Sequence, residues 1–189
     1  MSTRTNPDII QEINDCSPNL VQVVSSCVSI DSFSDLKSKV KFATGTLVFC
    51  PFTVEPAPSE FLDITTKVTL SCSYSGGCRI SGSTRHIRII GPSSQVSIQG
   101  FVFERATIHA VIIISSAVRK QTFCDCQFIT NQGKRRGVGL LAERFTNVQV
   151  ILSRFENNQS LDIGGSIFNR GSMVISKSMF VSNNGRVSE

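Results

Sequence analysis

The 189-residue chain has the length of one domain, and a hydrophobic content of 40% is enough to build a core. Its net charge of +5 permits anionic ligands, but the charged residues are few and scattered, which argues against a nucleic-acid-binding protein. No stretch of about 18 apolar residues occurs, so the sequence predicts no membrane span. Trp is absent, and β-prone and turn-forming residues are plentiful, as is typical of a β protein.

Residues 1–31 are predicted to be a leader that is partly helical or disordered. Pro7 is typical of the first turn of a helix, but Asp8, Glu12 and Asp15 interrupt the apolar residues of this segment. The leader therefore lacks the apolar core of a signal peptide. Seven cysteines nevertheless favour an oxidising compartment. We expect a secreted or cell-surface protein whose native start lies upstream of this chain.

A short amphipathic helix is predicted next, within residues 32–45. Its apolar residues fall roughly on one face, and Gly45 is suited to end it. These apolar residues are Phe33, Leu36, Val40 and Phe42. A strand follows and stops at Pro51, and further short strands continue to residue 98. In the expected domain organisation, residues 32–45 cap a β domain that spans residues 46–189.

From residue 96 to residue 184 the chain repeats itself around a phenylalanine. The four phenylalanines are 25, 27 and 25 positions apart. An apolar residue lies five positions before each of them, and an asparagine lies three positions after each of the last three. The phenylalanines are Phe103, Phe128, Phe155 and Phe180; the apolar residues are Ile98, Phe123, Val150 and Ile175; the asparagines are Asn131, Asn158 and Asn183.

A repeat of this length with only short strands predicts a solenoid. A βαβ unit needs a helical crossover for which these repeats have no room. In a solenoid, equivalent strands pair in parallel and equivalent side chains stack about 4.8 Å apart. We therefore expect an inward stack of the phenylalanines, an aliphatic stack beside it, and a ladder of asparagines that take left-handed turn geometry. Asn158 also begins a glycosylation sequon, but an asparagine in the ladder should carry no glycan.

The repeat unit also resembles that of a known family. Residues 155–171, FENNQSLDIGGSIFNRG, and residues 173–184, MVISKSMFVSNN, are similar to the F-x-x-N and G-G-x-I repeats of pectate-lyase-like proteins and polymorphic outer-membrane-type adhesins. The resemblance implies an all-β fold, a right-handed parallel β-helix of about five to six coils with an N-terminal helical cap. It implies nothing specific about function, because the superfamily contains both enzymes and binding proteins.

The cysteines leave two disulfide pairings open. Cys50 and Cys72 follow matching patterns and would lie in adjacent coils, so they could bridge. Cys72 could instead close the Gly-rich loop with Cys78. Cys126 occupies the position that Phe101 and Ser153 hold in other repeats, which predicts a buried free thiol.

The acidic residues form no column in the repeat, and the two histidines have no metal-ligand spacing. We therefore expect no cofactor, no metal and no catalytic residues, although an enzyme is not excluded. The favoured function is a non-catalytic surface, adhesive or scaffold module that binds carbohydrate or protein on an outer face. The alternative is a lyase or hydrolase relative acting on acidic polysaccharide. Its candidate anionic-sugar contacts are Arg85, Arg88, Lys134 and Arg135.

The last coil suggests one further expectation. No capping helix follows it, and an open coil end exposes a parallel strand edge. We expect that the solenoid is truncated at its C-terminal end or associates end to end through this coil.

Overall fold

The computed structural model describes residue 16 and residues 26–82, 84–114, 117 and 119–186. The described chain is a parallel β-solenoid of about five turns, in which every strand pair is parallel. The all-β solenoid predicted from the repeat is therefore confirmed. No helix among these residues is both long and apolar enough to cross a membrane.

Three sheets form the sides of the solenoid. Sheet A consists of β1 (Gly45–Phe49), β4 (Lys67–Cys72), β7 (Gln95–Gln99), β10 (Lys120–Cys124), β14 (Asn147–Ile151) and β18 (Ser172–Ser176). Sheet B consists of β2 (Phe52–Val54), β5 (Cys78–Ser81), β8 (Phe101–Glu104), β11 (Gln127–Ile129), β15 (Arg154–Glu156) and β19 (Met179–Val181). Sheet C consists of β3 (Leu62–Ile64), β6 (Arg85–Ile89), β9 (His109–Ile113), β13 (Leu140–Ala142) and β17 (Ile167–Asn169). A small fourth sheet pairs β12 (Gln132–Gly133) with β16 (Gln159–Ser160).

Each turn of the solenoid contributes one strand to sheets A, B and C, so residues one repeat apart become neighbours. Phe103, Phe128 and Phe155 are fully buried, and Phe180 follows them in register at the last coil. Their rings stack with centroid separations of 5.1, 4.6 and 4.9 Å. Inward side chains from all three sheets join them in one hydrophobic core. This core holds successive coils together.

The one helix in the described residues is α1 (Phe33–Val40). The Ser32 hydroxyl caps it by accepting a hydrogen bond from the backbone N–H of Asp35 at 3.1 Å. Phe33, Leu36 and Val40 are buried in the solenoid core, and the helix contacts β3 of the first coil. The expectation that Phe42 shares this buried face is wrong. The helix ends at Val40, and Phe42 lies in the following turn with 79% of its surface exposed.

The asparagines after the phenylalanines hydrogen-bond one another between coils. The side-chain oxygen of Asn158 accepts from the side-chain and backbone nitrogens of Asn131, at 2.9 and 3.1 Å. Asn183 accepts in the same way from Asn158, at 2.9 and 3.0 Å. The expected left-handed geometry of these asparagines is wrong, because it belongs to the residue before each of them: Thr130, Asn157 and Ser182 have φ angles of 51°, 52° and 51°.

Three disulfides close loops within the chain, and one of the open pairings is incorrect. Cys50 pairs with Cys27, not with Cys72. The residue in register with Cys72 is Phe49, so Cys50 lies one position further along and points to the other side. Cys72 instead closes the Gly-rich loop with Cys78. A third disulfide joins Cys16 to Cys124 on the outer side of sheet A.

Cys126 is the free cysteine of the described chain, and it is buried, as its place in the repeat predicts. Burial raises the pKa of its thiol to about 12. The thiol therefore acts as a small apolar side chain in the core rather than as a nucleophile.

Candidate functional site

The outer face of sheet C gathers arginine and phenylalanine side chains from distant parts of the sequence. Strand alternation places Ile87 and Ile89 in the core and directs Arg88 outward. Neighbouring coils add further side chains through the ends of their strands. We call this surface the arginine face. It comprises Arg85, Arg88, Arg135, Arg136 and Arg170 together with Phe61 and Phe168, and the carboxylates of Asp63, Glu143 and Asp162.

At the N-terminal end of the arginine face, Arg88 is fixed by its neighbours. Its partner in the parallel register is Asp63. Two parallel hydrogen bonds join the guanidinium to the carboxylate, from Nε to Oδ1 and from Nη2 to Oδ2, both at 2.7 Å. The hydrogen bonds to Asp63 raise the pKa of Arg88. Arg88 also lies over the Phe61 ring, 4.6 Å from its centroid, so this guanidinium is occupied by protein groups.

At the C-terminal end, two more arginines pair with carboxylates around a small cavity of about 290 Å³. Arg136 Nε lies 3.2 Å from Asp162 Oδ2, and its guanidinium lies 5.1 Å from the Phe168 ring centroid. Arg170 Nη1 lies 3.5 Å from Glu143 Oε2. These contacts are partly solvent-exposed, so they position the side chains more than they stabilise the fold.

Between these two ends lie Arg85, Arg135 and His109. Arg85 and His109 are direct partners in the register of β6 and β9. His109 and Arg135 line the same cavity. The His109 ring is buried, and its Nδ1 lies 3.2 Å from the carbonyl oxygen of Gly137. Burial lowers the pKa of His109 to about 4, and the charges of Arg85 and Arg135 act in the same direction. His109 is therefore neutral at pH 7.

Three of the four predicted anionic-sugar contacts belong to the arginine face. Arg85, Arg88 and Arg135 lie on it, but Arg88 is held by Asp63. Lys134 is exposed in the loop before β13 and makes no ion pair with a described residue.

Sequence reasoning missed the remaining members of the arginine face: Phe61, Arg136, Phe168 and Arg170. A signal for one of them was present. Ile167 occupies the same place in its repeat as Leu140, and alternation along the strand then directs Phe168 outward. The loop arginines carry no such signal, since they lie outside the regular strands.

A wider groove of about 750 Å³ runs along the outer face of sheet A. Its described lining is made mainly of hydroxyl and amide side chains with two lysines, Lys67 and Lys120, and contains no aromatic ring. The arginine face is the better candidate because it combines cations with aromatic rings, the groups that most often fix a ligand.

The described acidic residues form no candidate metal site. No group of three or more His, Cys, Asp or Glu side chains that could hold a metal ion occurs among them. The carboxylates on sheets B and C instead pair with arginines. Glu104 pairs with Arg79, and Glu156 pairs with Arg154. The three carboxylates of the arginine face each pair with an arginine of that face.

Comparisons with protein-family models, with curated proteins and with solved structures found no match to this chain.

Proposed function

We propose that the chain is a non-catalytic β-solenoid module that binds carbohydrate or protein on an outer face, and that the arginine face is this binding surface. The supporting observation is the convergence of five arginines and two phenylalanines, spread over residues 61–170, on one side of sheet C. Core packing does not require outward cations and rings at these positions. Solenoids commonly use such extended faces for binding.

Carbohydrate is the ligand class that the arginine face suits best. Guanidinium groups donate paired hydrogen bonds to carboxylates and hydroxyls, and phenylalanine rings offer flat apolar surfaces. Phe61 and Phe168 lie near opposite ends of the face, in the first and fifth coils. A linear glycan that follows the solenoid axis would contact both rings. The excess of arginines over carboxylates favours an acidic glycan.

We also propose that the solenoid is a right-handed parallel β-helix of the pectate-lyase-like kind, with Asn131, Asn158 and Asn183 as its asparagine ladder. The hydrogen bonds between their side chains, one repeat apart, support this proposal. Three disulfides favour folding in an oxidising compartment, which suits a secreted or cell-surface protein.

Affinity electrophoresis through gels that contain polygalacturonate, alginate or a neutral glucan tests the binding function. We expect retardation by the acidic polymers. The double variant Phe61→Ser/Phe168→Ser should lose about thirtyfold in affinity, since each ring contributes on the order of 1 kcal/mol to binding. The matched control is Phe42→Ser/Phe145→Ser, which removes two exposed rings elsewhere on the surface.

Equal retardation of both double variants would exclude the arginine face as the binding surface. An activity screen on the same polymers, with and without Ca²⁺, addresses the enzymatic alternative. Release of unsaturated or reducing sugar ends would contradict a non-catalytic module.

A further inference from the structure

Two of the five arginines on the arginine face have no acidic partner. Each of the three carboxylates of this face is already paired with one arginine. Arg85 and Arg135 remain, and neither guanidinium forms an ion pair or a hydrogen bond within the described residues. The charge of this face is therefore balanced everywhere except at these two residues.

The fold brings these two cations to the same place. Arg85 lies beside His109 in the register of the sheet, and His109 shares the lining of the cavity with Arg135. The Nε of Arg85 is buried without a hydrogen-bond partner. The pKa of Arg85 is lowered, first by burial and then by the positive charges of Arg88 and Arg135, while the carboxylate of Asp63, which is paired with Arg88, acts in the opposite direction and less strongly. Like charges kept together with no carboxylate paired to either are typical of a site for an anion.

We propose that Arg85 and Arg135, with His109 beside them, form a subsite for one oxyanion group of the ligand. This proposal rests on the proposed function of the arginine face, and it assigns the chemical class of the ligand. The group is a carboxylate or a sulfate, the two anions that an acidic glycan carries. Both guanidinium groups have free N–H donors for its oxygens, and an ionised acceptor strengthens such hydrogen bonds. The ring of His109 is neutral and adds no competing charge.

The subsite couples anion binding to the protonation of His109. An anion between Arg85 and Arg135 offsets the positive charges that disfavour the imidazolium. Binding must therefore raise the pKa of His109. By reciprocity, the anion binds more tightly as the pH falls toward the pKa of the complex. Glu143 and Asp162 also line the cavity, but they are paired with Arg170 and Arg136. Neither carboxylate therefore serves as the counterion of Arg85 or Arg135.

The test uses the full chain and two small probes that stay ionised in mild acid, sodium sulfate and sodium trifluoroacetate, at constant ionic strength maintained with chloride. NMR follows the Arg85 Nε–H resonance, whose proton is shielded from solvent, and the ring protons of His109 across a pH titration. We expect saturable shifts at Arg85 and an increase in the pKa of His109 with at least one probe. The tighter probe identifies the sulfate or the carboxylate as the preferred group.

The double variant Arg85→Gln/Arg135→Gln should weaken binding of the preferred probe at least about tenfold. The control Lys67→Gln/Lys120→Gln removes the same charge from sheet A and should bind like the parent. If the double variant does not fold, Arg135→Gln alone replaces it, because this exposed guanidinium makes no contact that the fold needs.

Unchanged affinity in the arginine variant, or an unchanged pKa of His109 at saturating probe, would overturn the subsite. That outcome is separate from failure of the proposed function. A chain with no oxyanion subsite can still bind a polymer through Phe61 and Phe168, and the phenylalanine variants would show this.

Discussion

At the scale of single residues, the two histidines are buried and make the fold sensitive to acid. His86 Nε2–H donates a hydrogen bond to the carbonyl oxygen of Gly82 at 2.8 Å, and its ring stacks on Phe103. Burial lowers the pKa of His86 to about 4, as it does for His109. Both are therefore neutral in the folded chain at pH 7, while in the unfolded chain they take up protons near their ordinary value of 6.5.

The first prediction follows from this difference. Because the unfolded chain binds more protons below pH 7, the free energy of unfolding should be constant from about pH 7 to pH 8 and fall between about pH 6.5 and pH 4. Each histidine contributes a loss of about 3 kcal/mol, from a shift of two to three units. Urea unfolding at several pH values measures this loss of unfolding free energy. The variant His86→Phe should show about half of the slope, and stability that is unchanged from pH 7 to pH 4 would refute this explanation.

Asn158 provides a second prediction at the same scale. Its side chain is fully buried and bonds Asn131, Asn183 and the carbonyl oxygen of Phe128. Its sequon is therefore inaccessible, and mass spectrometry of the chain from a secretory host should find no glycan. Asn158→Ala should lower the free energy of unfolding by about 2–4 kcal/mol, because it leaves buried polar groups without partners. The control Asn184→Ala changes an exposed side chain, and an equal loss in both variants would contradict this role.

At the scale of the repeated element, each of the last four coils turns sharply between sheets A and B through one residue with positive φ. The position lies three residues before the phenylalanine of each repeat. It is occupied by Gly100, Asp125, Leu152 and Lys177, with φ angles of 73°, 51°, 52° and 50°. Glycine adopts this conformation without strain, and asparagine or aspartate tolerates it. Leucine and lysine do neither, so two coils hold a strained turn, and the one at Leu152 lies between two neighbouring coils.

The third prediction concerns this strained turn. Leu152→Asn should raise the free energy of unfolding by about 0.5–1 kcal/mol, since part of the cost of a left-handed residue is relieved. Little burial is lost, because 39% of Leu152 is exposed. Leu161→Asn removes a similarly exposed leucine that has no positive φ, and it should bring no gain. Thermal unfolding compares the two variants, and a destabilised Leu152→Asn would rule out relief of strain.

The contrast between inward and outward residues explains what the sequence could predict. Phe123 and Val150 fill the same core position in successive coils, as Phe128 and Phe155 do, so their spacing repeats and specifies the solenoid. Phe168 and Arg170 lie on the outer face, where equivalent positions in other coils need not carry the same type of residue. The arginine face therefore produces no periodic pattern in the sequence. Cys27 lies outside the repeats altogether, and its bond to Cys50 had no signal in the spacing.

At the scale of the whole molecule, the two ends of the described solenoid differ. At the N-terminal end, α1 packs on the first coil, and Val28 pairs in parallel with Phe49 at the edge of β1. At the other end, β18 and β19 have no strand on their outer side within the described residues. Val174, Ile175, Met179 and Phe180 are exposed there. The ring of Phe180 continues the core stack but is covered on one side only, with 47% of its surface exposed.

The last prediction is that the 189-residue chain associates through this edge. An unpaired strand edge with apolar side chains is a template for pairing with another chain, and a lysine at such an edge prevents it. Light scattering should show a mass that rises above the 20.6 kDa monomer with concentration. Phe180→Lys should remain monomeric. Phe42→Lys, at an exposed ring after α1 at the opposite end of the solenoid, should associate like the parent. A parent chain that stays monomeric at millimolar concentration would show that the exposed coil is tolerated in water.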